Sequence, residues 1–317
     1  MSLNGSNDDE KLDNLSNYTY KNQAIWFLNA FWNSFAEKEA ENIWTYVHHC
    51  NDLDLQDHES GNHLDEMMAH RFLELIHSTL TVREMREGLR AVGISKVKSV
   101  PLINFLIFKF KVDWHKLVNA SQGDNQEEVE KAQNMLNEVM KALEEVKATA
   151  SAAAKAETEA INAENAAKRA KAELEEALKA LHAEEEAYNN KKAELEKKSQ
   201  EGGVVSRNKA ANELAQLLAE DPLPLRRAKI TQEAAVKKAE KTAKAAEEAT
   251  ASAKSARLAA EAAVEDAVRQ VQEAEDYLNE VKSKPGSAAG ALWWIDRELH
   301  EQKKYLPASK GGIAKKQ

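Results

Sequence analysis

Residues 125–153 read NQEEVEKAQNMLNEVMKALEEVKATASAA. Val129, Ala132, Leu136, Val139, Leu143, Val146, Ala150 and Ala153 follow one another at alternating steps of three and four. That spacing draws one apolar stripe along a helix, the seam of a coiled coil. The phase slips once near Ala156, in the manner of a three-residue stammer, and resumes at Ala160, Ala163, Ala167, Ala170, Leu174, Ala177 and Leu181. From 125 to 200 there is no Gly and no Pro to stop the helix. Its expected length is about 110 Å.

Downstream, Gly202 and Gly203 break the helix, and a short amphipathic piece runs from Arg207 to Ala219. The breaker DPLP follows at 221–224, and a second long helix is expected from about Leu225 to Lys282. Its seam runs Ala235, Ala239, Thr242, Ala246, Ala249, Ala253, Ala256, Ala260, Val264, Ala267, Val271, Ala274, Leu278 and Val281. The outgoing arm 125–200 and the returning arm 207–282 match in length. This predicts an antiparallel hairpin over 123–284 with its tip at 201–224. A lone helix held by propensity and i,i+4 pairs is the alternative. Ala on both seams permits close approach of the backbones but buries only about 0.8 kcal/mol of methyl each. The middle of the hairpin is therefore expected to open more easily than its ends.

Upstream, residues 1–17 are polar and read as a flexible tail. Over 18–122 the pattern predicts a compact all-α head. Ile25, Leu28, Trp32, Phe35, Ile43 and Tyr46 mark one helix from Tyr18 to about His49. Leu64–Leu80 and Val82–Val92 mark two more, and Pro101 suits the first turn of another that runs through Phe105, Phe108 and Trp114. After Pro285 and Gly286, residues 285–306 read as a final helix carrying Trp293 and Trp294. Neighbours on a helix sit about 100° apart, so one of the two is expected to enter the head core and pack head against hairpin. Residues 307–317 read as a basic, flexible tail.

The 317 residues carry a net charge of -9, and 43% are hydrophobic. The acidic balance argues against nucleic acid as the main partner. The stretch from Val100 to Phe110 is too short to cross a membrane. The N-terminus has no basic, apolar leader, so the expected location is the cytosol. One cysteine, Cys50, excludes an internal disulfide and a CxxC module. His63, His70 and His77 repeat every seven residues on one expected helix stripe, about 10 Å apart, too far for one zinc without His48, His49 or Cys50. No Gly-rich phosphate loop, GxSxG or HExxH is present, and the expectation is a protein without catalysis or cofactor.

Three blocks carry a family resemblance: GALWWIDRELHEQKK at 290–304, AANELAQLLAEDPLPL at 210–225, and QAIWFLNAFW at 23–32 with GNHLDEMMAHRFLEL at 61–75. Together the chain resembles the calcium-regulated actin-bundling proteins of amoeboid cells. The resemblance implies an EF-hand-containing head, a helical hairpin, a C-terminal helix and actin filaments as partner. The sequence departs from it at the loop 93–104. Gly93, Ser95, Val97 and Asn104 stand at positions 1, 3, 5 and 12, with Lys98 at position 6, where calcium needs carboxylates and a Gly. Position 8 keeps an apolar residue, Val100. A loop starting at Asp52 or Asp54 lacks the central Gly and reads as solvated. The expectation is a degenerate EF-hand and calcium-insensitive bundling.

Basic residues cluster at the tip and along the returning arm, where they suit an acidic filament. Arg207, Lys209, Asn212, Leu214, Gln216, Arg226, Arg227 and Lys229 are the expected actin contacts. A self-assembling structural coiled coil is the competing reading, and a calcium- or metal-sensing adaptor the third.

Overall fold

Asn7 accepts a hydrogen bond from Glu10 N and so opens a helix, α1 (Asp8–Ser16), within the segment whose polarity suggested a tail. The computed structural model describes residues 2–78, 80–94, 99–219 and 222–313. Leu3, Leu12 and Leu15 are buried in the head core. Asp8 pairs with His115 at 2.7 Å and accepts from Asn119 at 2.8 Å. The flexible-tail expectation for 1–17 is thus corrected: two leucines at i and i+3 suffice to dock a short capped helix.

The chain divides into two compact units, residues 1–144 with 265–317, and residues 145–264. In the first, α2 (Tyr20–Phe31) and α3 (Glu37–Leu53) are joined by a π-helical turn, Trp32–Ala36. The extra residue of that turn shifts the helical phase, so the single stripe expected from Ile25 to Tyr46 is two faces. Of the expected stripe Leu28, Ile43 and Tyr46 are buried and Ile25, Trp32 and Phe35 half-buried, while α2 also buries Tyr20, Gln23, Ala24, Trp26 and Phe27. α4 (Glu66–Leu75) is shorter than the expected Leu64–Leu80. It ends because His77 turns left-handed (φ 52°), and Ser78 N then donates to Leu73 O at 2.9 Å. His63 therefore lies outside α4 at one end and His77 at the other, and the three histidines share no helix stripe.

α5 (Val82–Ala91) starts in a reciprocal capping box between Thr81 and Glu84. α6 (Leu102–Phe110) and α7 (Trp114–Val118) are separate helices, divided by left-handed Lys111. Two short strands, β1 (His63–Leu64) and β2 (Val100–Pro101), pair antiparallel with Leu64 opposite Val100. The head is thus two helix–loop–helix units, α3–α4 and α5–α6, whose loops meet in a two-stranded ladder.

Gln23, fully buried, ties these parts together. Its Nε2 donates to the carbonyls of Ser16, Tyr18 and Asn62, and its Oε1 accepts from Ile103 N at 2.8 Å. Pro101, at the N-cap of α6, offers no side-chain acceptor, so Gln23 serves as the cap.

α8 (Gln126–Gln200), α9 (Val204–Ala219) and α10 (Leu223–Lys282) form the long helical hairpin. Within the first unit, Ala132, Leu136, Val139 and Leu143 of α8 and Val271, Ala274, Leu278 and Val281 of α10 are buried. Lys284 lies 3.9 Å from Glu128, and the Lys131 ammonium sits 4.3 Å from the Tyr277 ring. Within the second unit, Lys238 bonds Glu173 at 2.5 Å and Glu157 acts on Arg257, the same antiparallel register.

One detail of the hairpin is corrected. Thr149 is half-buried and Ala150 exposed, so the phase slip falls between Val146 and Thr149, about two turns before Ala156. The chain reverses at residues 201–203, where Gly202 adopts φ 104°. α9 already belongs to the returning arm, with Ala210 buried and Glu213 acting on Lys198. The reversal thus falls at the start of the expected tip 201–224, and α9 lies in the expected returning arm 207–282.

α11 (Ala289–Gln302) closes the first unit. Gly290 is required there, since a Cβ would lie 2.6 Å from Leu28 Cβ and 2.7 Å from Asn29 N. At the junction Asn125 Oδ1 accepts from Ala288 N at 2.8 Å. Beyond α11 the chain folds back, with Ile313 N donating to Lys303 O at 3.2 Å. Residues 307–313 of the expected flexible tail are thus folded back, and the rest of it lies outside the described residues.

Candidate functional site

The half-buried residues of α9 and α10 identify which face each helix turns to α8. On α9 the inner stripe is Ala210, Leu214 and Leu217; on α10 it begins Leu225, Ala228, Gln232, Ala235 and Ala239. Steps of three and four then define the opposite faces. On α9 the outer stripe is Val205, Lys209, Asn212 and Gln216; on α10 it is Leu223, Arg227, Ile230, Ala234, Lys237 and Lys241.

The expected contacts distribute accordingly. Lys209, Asn212, Gln216, Arg226, Arg227 and Lys229 are exposed; Lys209, Asn212, Gln216 and Arg227 lie on the outer stripes, and Arg226 lies beside that of α10. Lys229 flanks the α10 seam. Arg207 is exposed beside the α9 seam, and Leu214 is half-buried within it. Leu214 therefore turns part of its surface to α8. Among the described residues no ion pair engages Arg207, Lys209, Arg227, Lys229, Lys237 or Lys241, whereas Lys238 is used across the hairpin by Glu173. Lys209, Arg227, Lys237 and Lys241 therefore form an outward row of solvated cations, of the charge that suits carboxylates of a partner.

The reading of charge overlooked the apolar half of this surface. Val204, Val205, Leu218, Leu223 and Ile230 are large apolar side chains standing exposed. Among the described residues of the 145–264 unit only Ile161, Leu178 and Leu258 are comparable, so the exposure concentrates at the reversal and the start of α10. The sequence carried no such signal: both seams stop short of 204–230, so nothing in the spacing marked Val205, Leu223 and Ile230 as outward.

The head loops form a second candidate. Pairing Leu64 with Val100 equates these residues, and Val100 is position 8 of the loop 93–104. Leu64 at position 8 sets the partner loop to 57–68, a frame distinct from those starting at Asp52 or Asp54. Asp57 and Glu59 then occupy positions 1 and 3, Gly61 position 5, and Met68 position 12. Asp54 lies outside the frame, accepting from the Tyr20 hydroxyl at 3.0 Å and from the backbone of Gln56 and Asp57. Position 12 of the other loop is Asn104, which is buried. Calcium needs a bidentate carboxylate at that position; neither loop supplies one, and the residues do not fit the ion. Ser95, Val97 and Lys98 lie outside the described residues. Among the described residues no three His, Cys, Asp or Glu side chains gather as for a metal. Burial pushes the Cys50 thiol up, away from the reactive thiolate.

The tryptophan pair sits in the first unit. Trp294 is 1% exposed in the head core, its ring 4.7 Å from that of Trp44. Its Nε1 donates to Glu298, which also holds Lys21 at 2.7 Å. Trp293 is half-buried against Trp32 and Trp44. Leu292, Ile295 and Leu299 bury a second stripe of α11. Among the described residues no helix is long and apolar enough to cross a membrane.

No curated protein matches the chain. Among solved structures it is similar to the one titled crystal structure of 34 kDa F-actin bundling protein from Dictyostelium discoideum, at 21% identity and a TM-score of 0.48, over 99% of this chain and 100% of that one. Residues 135–267, which include the whole of α9 and most of α8 and α10, match the family model described as F actin bundling C terminal.

Proposed function

We propose that this chain binds actin filaments and cross-links them into bundles, with no chemical step, and acts in the cytoskeleton of the cytoplasm. The observation that carries this reading is the outward row of solvated cations on α9 and α10, inside the segment that matches the actin-bundling family model. A filament surface rich in carboxylates is the complement of such a row. Arg207, Lys209, Asn212, Gln216, Arg226, Arg227 and Lys229 are the proposed contacts. Bundling further requires a second filament contact or self-association of the chain.

The helix–loop–helix pair of the head is read as a degenerate pair of EF-hands, kept for packing. Met68 and Asn104 at the last loop positions support calcium-insensitive bundling.

Pelleting of the full chain with actin filaments tests the reading, at high speed for binding and low speed for bundling. Changing Arg226, Arg227 and Lys229 to Glu is expected to weaken binding and to flatten its salt dependence, because screening acts on such contacts. Equal binding by the folded triple variant would remove the tip as the site. Chain that pellets as well without filaments would favour the self-assembling coiled coil. Bundling is expected to be the same in micromolar calcium and in chelator, and its loss in calcium would overturn the insensitivity.

A further inference from the structure

Exposed cations account for attraction to an acidic surface but give it little hold at physiological salt, where the Debye length is about 8 Å. The same faces carry side chains of the opposite character. Val205 is 85% exposed and Ile230 58%, and Leu223 is also exposed. On α10 the outward order is Leu223, Arg227, Ile230, Ala234, Lys237, Lys241, so apolar and cationic side chains interleave on one stripe. On α9 Val205 precedes Lys209 on the corresponding stripe.

We propose that Val205, Leu223 and Ile230 are apolar anchors of the filament contact, set against an acidic protein surface while the neighbouring cations form the rim. This deepens, and rests on, the actin-binding reading given above. An interface of this kind draws its affinity from a few desolvated side chains, and its rim charges set encounter rate and register. Charge selects the occupant. Residues 204–244 contain nine Lys and Arg against five Asp and Glu, a net of +4 within a chain of net -9. A second copy docking the same face would set +4 against +4, whereas an acidic filament is attracted.

The two components separate by salt. The full chain carrying Val205→Ser, Leu223→Ser and Ile230→Ser is compared with the parent in filament pelleting across a potassium chloride series. All three side chains lie away from α8, and circular dichroism checks that helicity is unchanged. The expected result is a loss of affinity of about tenfold or more at every salt concentration, with the slope of log Kd against log salt unchanged. The Arg226→Glu, Arg227→Glu, Lys229→Glu variant should weaken binding and flatten the slope. Ile230→Val and Val205→Ile should bind as the parent does. Parent-like affinity of the serine variant overturns the anchors while leaving the actin reading intact. A parent that fails to bind filaments overturns both. A parent that self-associates without actin, and a serine variant that no longer does, overturns the filament in favour of a second copy as occupant.

Discussion

Leu136, Val139 and Leu143 of α8 are buried with Val271, Leu278 and Val281 of α10 in the unit formed by 1–144 and 265–317. In the 145–264 unit the same two helices meet through Ala153, Ala156, Ala160, Ala163 and Ala167 on one side and Ala239, Ala246, Ala249, Ala253, Ala256 and Ala260 on the other, all only half-buried. Ala170 and Ala177 of α8, and Ala210 of α9, are buried there. A buried Leu or Val is worth about 1.5–3 kcal/mol, an alanine methyl about 0.8. The first unit is therefore stabilised by tertiary packing, and the second chiefly by helix propensity and local pairs such as Lys168–Glu164 and Arg257–Glu261. A segment that spends few apolar side chains on its own seam can leave others, with its cations, facing outward. The contrast joins stability and proposed function: one unit packs, the other presents.

Substitution at the α11 tryptophan tests that contrast most strongly. Trp294→Ala is expected to cost about 3–5 kcal/mol, read by denaturant unfolding of the first unit. Amide exchange in 145–264 should change far less. Equal loss of protection in both units would mean that they are not energetically distinct. An Ala→Ser change mid-seam should fall well below this.

A smaller effect is expected in the alanine seam. Ala170→Gly removes the buried methyl and adds backbone freedom, at about 1–2 kcal/mol in all. Faster amide exchange around residue 170, with the first unit unchanged, is the expected signature. A global loss of stability would show the seam to be more strongly coupled than its burial implies.

The smallest effect concerns α1. A hydrogen bond from Asn119, then one from His115, holds the Asp8 carboxyl below its ordinary value. A carboxyl depressed in the folded state contributes stability that is present above its unfolded value and lost as pH falls through the folded one. Protection of the α1 amides should therefore fall in acid below the ordinary carboxylate range, and Asp8→Asn should remove that dependence. Acid sensitivity that persists in Asp8→Asn would place its origin elsewhere.

The long helices were legible because alternation of three and four over scores of residues leaves one solution, and Gly202 with Gly203 marks the reversal. The position of the phase slip was not, since Thr149 and Ala150 differ too little in apolarity to show which one enters the seam. In the head, one inserted residue at Trp32–Ala36 turns α3 relative to α2, and no periodicity within either helix records it. At the candidate site the cations could be read as exposed from their charge. Val205, Leu223 and Ile230 could not, because an apolar residue is taken for core until a partner helix is placed beside it.

The sequence by itself determined the all-α class, the antiparallel hairpin and the C-terminal tryptophan helix. These rest on local spacing and residue type. Tertiary structure decided the rest: that α1 docks, that Gln23 caps α6 at Ile103, that Leu64 faces Val100 and so sets the loop frame, and that Trp294 rather than Trp293 is buried. Each depends on which surfaces meet across long stretches of chain, and burial is a property of the pair in contact, not of either residue alone.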